Sequence, residues 1–395
     1  MGSNKKRIVV VGAGYVGMSI SAMLSVKNEV VVVDVDETRV NSINNRISTV
    51  KDVGIEESLK NNQLNISATL DYASAYDGAE YIIIATPTNY DVNTKYFDTS
   101  IVEKVIKDIL SVNKSALIII KSTIPIGFTD KVIKDNNSTN IVFSPEFLRE
   151  GRALSDNLLP SRIIFGGHES EKVKSFARIV LESTSAKDSI EILYMNSREA
   201  ESVKLFSNSY LALRVAFFNE IDSFSIYNNL SSEKIINGVS LDKRIGNFYN
   251  NPSFGFGGYC LPKDTQQLLT NFDNISQEII TAIVNSNETR KNFIVDDILK
   301  RKPKIVGAYR INMKAGSDNF RNASIIDVIK KLNAFDIEVL IYEPLIKSDY
   351  YQNFKLVHDL DEFKSQVDLI ITNRTDNELD DVHSKIYTRD VFNKD

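Results

Sequence analysis

Short β-branched runs alternate with helically spaced apolar stretches through the first half of the chain. The run Arg7-Ile-Val-Val-Val leads through glycines into a helical stretch over Tyr15–Val26, then into a second strand over Val30–Asp34. Further strands are predicted at Ala79–Ala85, Ala116–Ile120, Asn140–Phe143, Ser161–Phe165 and Ile190–Tyr194, with helices between them such as Ser100–Ser111 and Glu169–Glu182. Alternation of this kind predicts a doubly wound, largely parallel α/β sheet. Between Gly167 and Gly238 there is no glycine, and between Pro160 and Pro252 no proline. In that window Val203, Phe206, Tyr210, Leu213, Phe217, Ile221 and Phe224 recur near helical spacing, which predicts one long helix over Ser197–Asn228. Its aromatic stripe reads as core and as an interface with a partner subunit. A second, shorter α/β unit follows, with strands at Lys304–Ala308, Glu338–Tyr342 and Asp368–Thr372 and a helix at Ala323–Leu332. The pattern therefore predicts an α/β chain in which a doubly wound sheet is joined by a long central helix to a second, shorter α/β unit.

Composition narrows the function classes. A chain of 395 residues with 43% hydrophobic residues is long enough for two or three domains and needs no disulfide or metal staple. A net charge of −5 and a pI near 5.5 argue against nucleic acid or an anionic membrane as the main partner. No apolar run approaches the ~20 residues of a membrane span, and the first residues lack the apolar core of a signal peptide. The sole cysteine, Cys260, can form no internal disulfide, which points to a reducing, cytoplasmic setting. A cysteine-based zinc site is excluded, and His168, His358 and His383 are too scattered for a histidine site, so no metal is expected.

Only 17 residues are glycine, and six of them fall in two short clusters, where backbone turns sharply or meets a ligand. The first cluster is Gly12-Ala-Gly14-Tyr-Val-Gly17, set between a strand and a helix. In a βαβ context this is the dinucleotide fingerprint. Gly12 permits the tight turn, Gly14 the approach of pyrophosphate, and Gly17 the packing of helix on strand. Phosphates sit at the helix N-terminus, where unpaired N–H groups favour negative charge. Asp34 ends the second strand 22 residues after Gly12, placed to accept from the adenosine ribose hydroxyls and to repel a 2′-phosphate. NAD is thus favoured over NADP, with Arg39 available to lie along the adenine. The alternative is an ordinary strand–turn–helix that binds nothing.

Strand ends in such sheets carry the ligand crevice. Here they read Ala85-Thr-Pro-Thr88, Lys121-Ser-Thr123-Ile-Pro125 and Ser144-Pro-Glu146-Phe-Leu-Arg-Glu150. Each joins a proline turn to hydroxyls or carboxylates, although any one of them could be turn chemistry alone.

The second glycine cluster, Gly255-Phe-Gly257-Gly258, precedes Cys260-Leu-Pro-Lys263-Asp264. Pro262 suits a helix start, and a thiol near a helix N-terminus and a lysine has its thiolate stabilised. The bland alternative is a small buried hydrophobe. A dinucleotide site and one embedded thiol together point to four-electron alcohol oxidation. The thiolate adds to an aldehyde, the thiohemiacetal gives up a second hydride, and the thioester is hydrolysed.

Four segments, GAGYVG at Gly12–Gly17, KSTIPIG at Lys121–Gly127, SPEFLREG at Ser144–Gly151 and GFGGYCLPKDT at Gly255–Thr265, resemble the UDP-glucose/GDP-mannose dehydrogenase family. The resemblance runs from Lys5 to the C-terminus. It implies an α/β fold of two Rossmann-like doubly wound domains joined by a long central helix. These are an NAD-binding Rossmann-like domain (1–196) and a UDP-sugar-binding Rossmann-like domain (301–395), with a central helical dimerisation region carrying the catalytic cysteine (197–300) between them. It implies a homodimer and the reaction UDP-glucose + 2 NAD + water → UDP-glucuronate + 2 NADH. Capsule or surface polysaccharide synthesis is the setting that such a product suggests. Cys260 matches the covalent nucleophile, and Lys204 with Asn208 the pair that stabilises the oxyanion. Thr123 and Asp264 match groups that hold a water for proton transfer, and Glu150 a carboxylate for thioester hydrolysis. Implied cofactor contacts are Gly12, Gly14, Tyr15, Val16, Gly17, Asp34, Arg39, Thr86, Pro87, Thr88, Thr123, Glu150 and Arg321. Implied substrate contacts are Phe147, Leu148, Arg149, Glu150, Lys204, Asn208, Arg244 from across the dimer, Tyr249, Phe254, Gly257, Lys314 and Arg389. The sequence departs from the family pattern at Tyr259, where many relatives have Ser, and at Ser317-Asp318-Asn319.

Three alternatives stay open at this point. One is the same chemistry on GDP-mannose or a UDP-N-acetylhexosamine. Another is a two-electron β-hydroxyacid dehydrogenase, which leaves Cys260 without work. The third is an NAD-sensing or assembly protein without turnover.

Overall fold

The computed structural model describes residues 5–60, 64–91, 93–258, 260–311 and 323–393. The chain divides into two compact units, Met1–Leu205 and Phe206–Asp395.

In the first unit the strands are β1 (Arg7–Val11), β2 (Glu29–Val33), β3 (Ile66–Thr69), β4 (Tyr81–Ile84), a small hairpin of β5 (Asn89–Asp91) and β6 (Tyr96–Asp98), β7 (Leu117–Ile120), β8 (Ile141–Phe143), β9 (Arg162–Gly166) and β10 (Glu191–Met195). Eight of them form one sheet in the order β10-β9-β8-β7-β4-β1-β2-β3. All neighbours are parallel except β8 and β9, which meet antiparallel at Phe143 and Gly166. The central strands β1, β4 and β7 are buried on both faces, which explains their unbroken Val/Ile runs.

Helices α1 (Tyr15–Ser25), α2 (Glu37–Asn44), α3 (Val53–Lys60), α4 (Tyr72–Tyr76), α5 (Ser100–Val112), α6 (Phe128–Asn136), α7 (Ala153–Leu158) and α8 (Glu171–Ser183) complete the unit. Helix α5 shows why the pattern folds as it does: Val102, Val105, Ile106 and Ile109 fall on one stripe and are buried. Strand order reverses between β1 and β4, so the glycine turn after β1 and the Ala85–Thr88 segment after β4 flank the switch point.

Helix α9 (Ser197–Tyr227) runs from the first unit into the second, 31 residues without a break. The second unit continues with α10 (Ser232–Ser240), α11 (Cys260–Asn271) and α12 (Ile279–Leu299). A six-stranded sheet follows, built from β11 (Ile305–Tyr309), β12 (Glu338–Tyr342), β13 (Tyr350–Tyr351), β14 (Phe354–Leu356), β15 (Leu369–Thr372) and β16 (Ile386–Thr388), in the order β13-β14-β12-β11-β15-β16. Only β13 and β14 are antiparallel. Helices α13 (Ser324–Asn333) and α14 (Leu360–Gln366) pack on this sheet through Ile325, Ile329, Leu332 and Phe363. Two doubly wound sheets joined by a long helix are thus present, as the family resemblance implies. Among the described residues, no helix is long and apolar enough to cross a membrane, and no cluster of His, Cys, Asp or Glu is arranged to hold a metal ion.

Candidate active site

The glycine turn gives each of its three glycines a separate geometric reason. Gly12 adopts a φ of +105°, and a Cβ there would lie 2.7 Å from the Ala85 carbonyl oxygen. A Cβ on Gly17 would lie 1.8 Å from the Gly12 oxygen, so helix and turn could not pack as they do. At Gly14 a Cβ would meet nothing within 4 Å, so that side of the turn faces open space. Gly14 is the N-cap of α1, which has no side-chain cap and no acidic residue in its first turn. Its orphan N–H groups and open approach fit a pyrophosphate.

Asp34 is buried and already employed. Its Oδ2 accepts from the Ala13 N–H at 2.7 Å and its Oδ1 from the Asp36 N–H at 3.0 Å. The carboxylate therefore ties the end of β2 to the glycine turn, a duty that spacing alone does not reveal. Arg39 lies over the same carboxylate, 3.7 Å from Oδ2, and 3.7 Å from Asp36.

The three rim segments are hydrogen-bonded to one another. Ser122 Oγ donates to the Thr86 carbonyl at 2.7 Å, and Thr88 Oγ1 to the Thr123 carbonyl at 2.7 Å. Lys121 and Glu146, not singled out from the sequence, form an ion pair at 3.1 Å across the ends of β7 and β8. Lys204, only 8% exposed, donates from Nζ to the Glu146 carbonyl at 2.5 Å and lies 5.3 Å from the centre of the Phe147 ring. Arg162 covers the same ring at 4.2 Å. Arg149 forms a two-pronged pair with Asp156 at 2.6 and 3.0 Å. Leu148 and Glu150 are half-buried beside it. Asp52, which is buried, accepts from the Ala153 N–H and so fixes the start of α7 behind this rim.

In the second unit Cys260 is the first residue of α11 and is exposed. Pro262 falls in the first turn, where a missing N–H costs nothing. No acidic residue opposes a thiolate there, and the N-terminal N–H groups favour one. One turn on, Asp264 is fully buried and accepts from Asn208 Nδ2 of α9. Among the described residues its Oδ1 accepts no hydrogen bond, and it lies 3.5 Å from Lys263 Nζ. A buried carboxylate oxygen with spare capacity suits the binding of a water.

The glycine loop before Cys260 is hung from side chains on three elements. Asn219 of α9 accepts from the Ser253 N–H at 2.8 Å, Arg290 of α12 donates to the Ser253 carbonyl at 2.9 Å, and Asn287 of α12 to the Phe256 carbonyl at 2.8 Å. Ser324 Oγ donates to the Gly255 carbonyl at 3.0 Å. Gly255 has a φ of +149°, and a Cβ on it would meet Asn287 Oδ1 at 2.6 Å. Gly257 is half-buried in the same loop.

Two residues singled out for the sugar are engaged elsewhere. Phe254 is fully buried and stacks on Tyr387 at 5.9 Å, so its ring serves the core. Arg389 donates to Asp222, which also takes the buried Arg290 guanidinium. Burial opposes ionisation of Asp222, yet the two guanidiniums hold its carboxyl below the usual carboxylate range. Arg244 is at the surface, 90% exposed and paired with Asp242 at 2.6 Å, and Tyr249 is exposed with a φ of +51°. Lys314 and Arg321 lie outside the described residues.

The fold and the first glycine turn define a dinucleotide-binding α/β protein, and the second unit supplies a thiol at a helix N-terminus. The chain belongs to the UDP-glucose/GDP-mannose dehydrogenase family: its NAD binding domain matches at residues 6–185, its central domain at 198–289 and its UDP binding domain at 307–394. The chain is 51% identical over 393 residues to a UDP-glucose 6-dehydrogenase of Campylobacter jejuni, covering 98% of this chain and 100% of that protein. It is 48% identical over 394 residues to a UDP-glucose 6-dehydrogenase of Streptococcus pneumoniae, covering 98% and 100%. Among solved structures, a UDP-glucose dehydrogenase from Pyrobaculum islandicum superposes with a TM-score of 0.85 at 27% identity, covering 94% of this chain and 90% of that one.

Proposed function

We propose that this chain oxidises UDP-glucose to UDP-glucuronate with two NAD, through a thiohemiacetal and a thioester on Cys260. The observation that carries the reading is the opening of α11: an exposed thiol at its first position, one turn before a buried carboxylate held by Asn208. NAD would supply the hydride acceptor for each of the two oxidations; the N–H groups behind Gly14 would hold its pyrophosphate and Asp34 its ribose. The protein's own part is as follows. Asp264 and Thr123 hold a water that takes the hydroxyl proton at C6. The Cys260 thiolate adds to the aldehyde carbon, and its new C–S bond makes the second oxidation possible. Lys204 and Asn208 donate to the oxygen that carries negative charge in the adduct. Glu150 orders the water that hydrolyses the thioester, releasing carboxylate and regenerating the thiol.

Residues 1–196 serve the NAD, residues 197–300 dimerisation and the thiol, and residues 301–395 the nucleotide sugar. A homodimer fits the exposed aromatic residues Tyr210, Phe217, Phe224 and Tyr227 along α9, because scattered exposure is ordinary but a row is not. Arg244 then serves the partner's substrate. A cytoplasmic site of action fits the lone cysteine and the intracellular cosubstrate.

A substrate panel tests the reading. UDP-glucose with NAD should turn over faster than GDP-mannose or UDP-N-acetylmannosamine by at least about 100-fold. Equal or faster turnover of another nucleotide sugar would move the assignment to that sugar.

A further inference from the structure

The geometry points to Glu201 as the residue that positions the Thr123 loop of the first unit, and we infer that it acts on catalysis through Thr123. The inference rests on the reading of Thr123 as a holder of the catalytic water. Glu201 lies on α9, three residues before Lys204, and is fully buried. Its partners are all at the start of α6. Oε2 accepts from the Gly127 N–H at 2.5 Å, while Oε1 accepts from the Thr129 N–H at 2.9 Å and from Thr129 Oγ1 at 2.6 Å. Helix α6 has no cap of its own, since its N-cap is Gly127 in a left-handed conformation with no side chain. The carboxylate that a helix normally finds in its own sequence is supplied here by α9. Arg198, one turn earlier on α9, adds a pair with Asp130 at 3.2 Å.

The segment between Thr123 and Gly127 is therefore tied at both ends. Thr88 holds the Thr123 carbonyl at 2.7 Å, and Glu201 holds Gly127. Ile124 between them is buried, which leaves the segment little freedom. Because Glu201 and Lys204 share a helix, the same tie fixes the register of the Thr123 loop against the residue proposed to bind the oxyanion. Burial pushes the Glu201 carboxyl up, and its three donors oppose that shift. No proton transfer at Glu201 is required: it is a positioning residue and touches no reacting atom.

A double-mutant cycle with Thr123→Ala tests this, read as kcat with UDP-glucose. Glu201→Gln keeps the shape of the side chain but replaces one acceptor oxygen by an amide that cannot accept. It should lower kcat about tenfold to a hundredfold, as loss of sub-ångström placement does, with KM for NAD within about twofold. In the Thr123→Ala background it should lower kcat no further, because its effect passes through Thr123. If Glu201→Gln does not fold, Thr129→Val removes one of the three donors and takes its place in the cycle. Multiplicative effects, or wild-type kcat in Glu201→Gln while Thr123→Ala is slow, would overturn the inference. Wild-type kcat in Thr123→Ala would instead remove the reading of Thr123, and the inference with it.

Discussion

Asn208, one turn past Lys204 on α9, donates through Nδ2 to Asp264 Oδ2 on α11, and both side chains are buried. The pair links the long helix to the helix that Cys260 opens. Asn208→Ala leaves that carboxylate oxygen without its donor, which costs about 1–3 kcal/mol. Thermal unfolding should show that loss, and NADH production should fall more than about tenfold if Asn208 also donates to the oxyanion as proposed. A variant of unchanged stability and rate would separate Asn208 from both roles.

Cys260 is exposed, so its removal should affect chemistry and leave the fold alone. Cys260→Ser is expected to unfold at the wild-type temperature and to lower UDP-glucuronate formation by at least about 10⁴-fold. Product analysis by mass spectrometry checks this directly. Acid formed at the wild-type rate would rule out a covalent route.

The glycines of the first turn should separate by geometry. Gly12→Ala meets the Ala85 carbonyl and a positive φ, and should cost roughly 2 kcal/mol or more in unfolding experiments. Gly14→Ala meets only open space, so it should keep its stability while weakening NAD binding in calorimetry. Equal effects of the two on stability would contradict this division of roles.

Asp222 compensates two arginines inside the second unit, Arg290 and Arg389. Asp222→Asn leaves both charges without their carboxylate and should cost about 3–5 kcal/mol. The folded carboxyl is held below its ordinary value, so its stabilisation is complete above about pH 4 and is lost as pH falls further. The variant should accordingly show a shallower loss of stability below pH 4 than the wild-type protein. Urea unfolding at several pH values reads both effects.

Much of the fold is written in local pattern. The sequence-derived helix over 197–228 is α9 at Ser197–Tyr227, and the strand at Glu338–Tyr342 has those same bounds in β12. Both are decided by spacing within one element. Others shift by a residue or two at their ends, as at Tyr81–Ile84, where the N–H of the preceding Ala79 turns back to the Tyr76 carbonyl. The antiparallel meeting of β8 and β9 has no local signature, because both strands read as fully buried runs. The buried polar ties are also invisible in the sequence: Glu201 to Gly127 spans 74 residues and Asp222 to Arg389 spans 167. Each looks in isolation like an ordinary charged helix position. Asp34 shows the opposite case, where a motif names the residue and the structure adds a second duty.

The central claim is four-electron oxidation by one thiol-bearing site. It is tested most directly by the number of NADH formed per UDP-glucose consumed, with the sugar limiting and NAD in excess. Two NADH per sugar is the expected result, with UDP-glucuronate as the product. One NADH per sugar, with an aldehyde left behind, would contradict the account and take Cys260 out of the reaction.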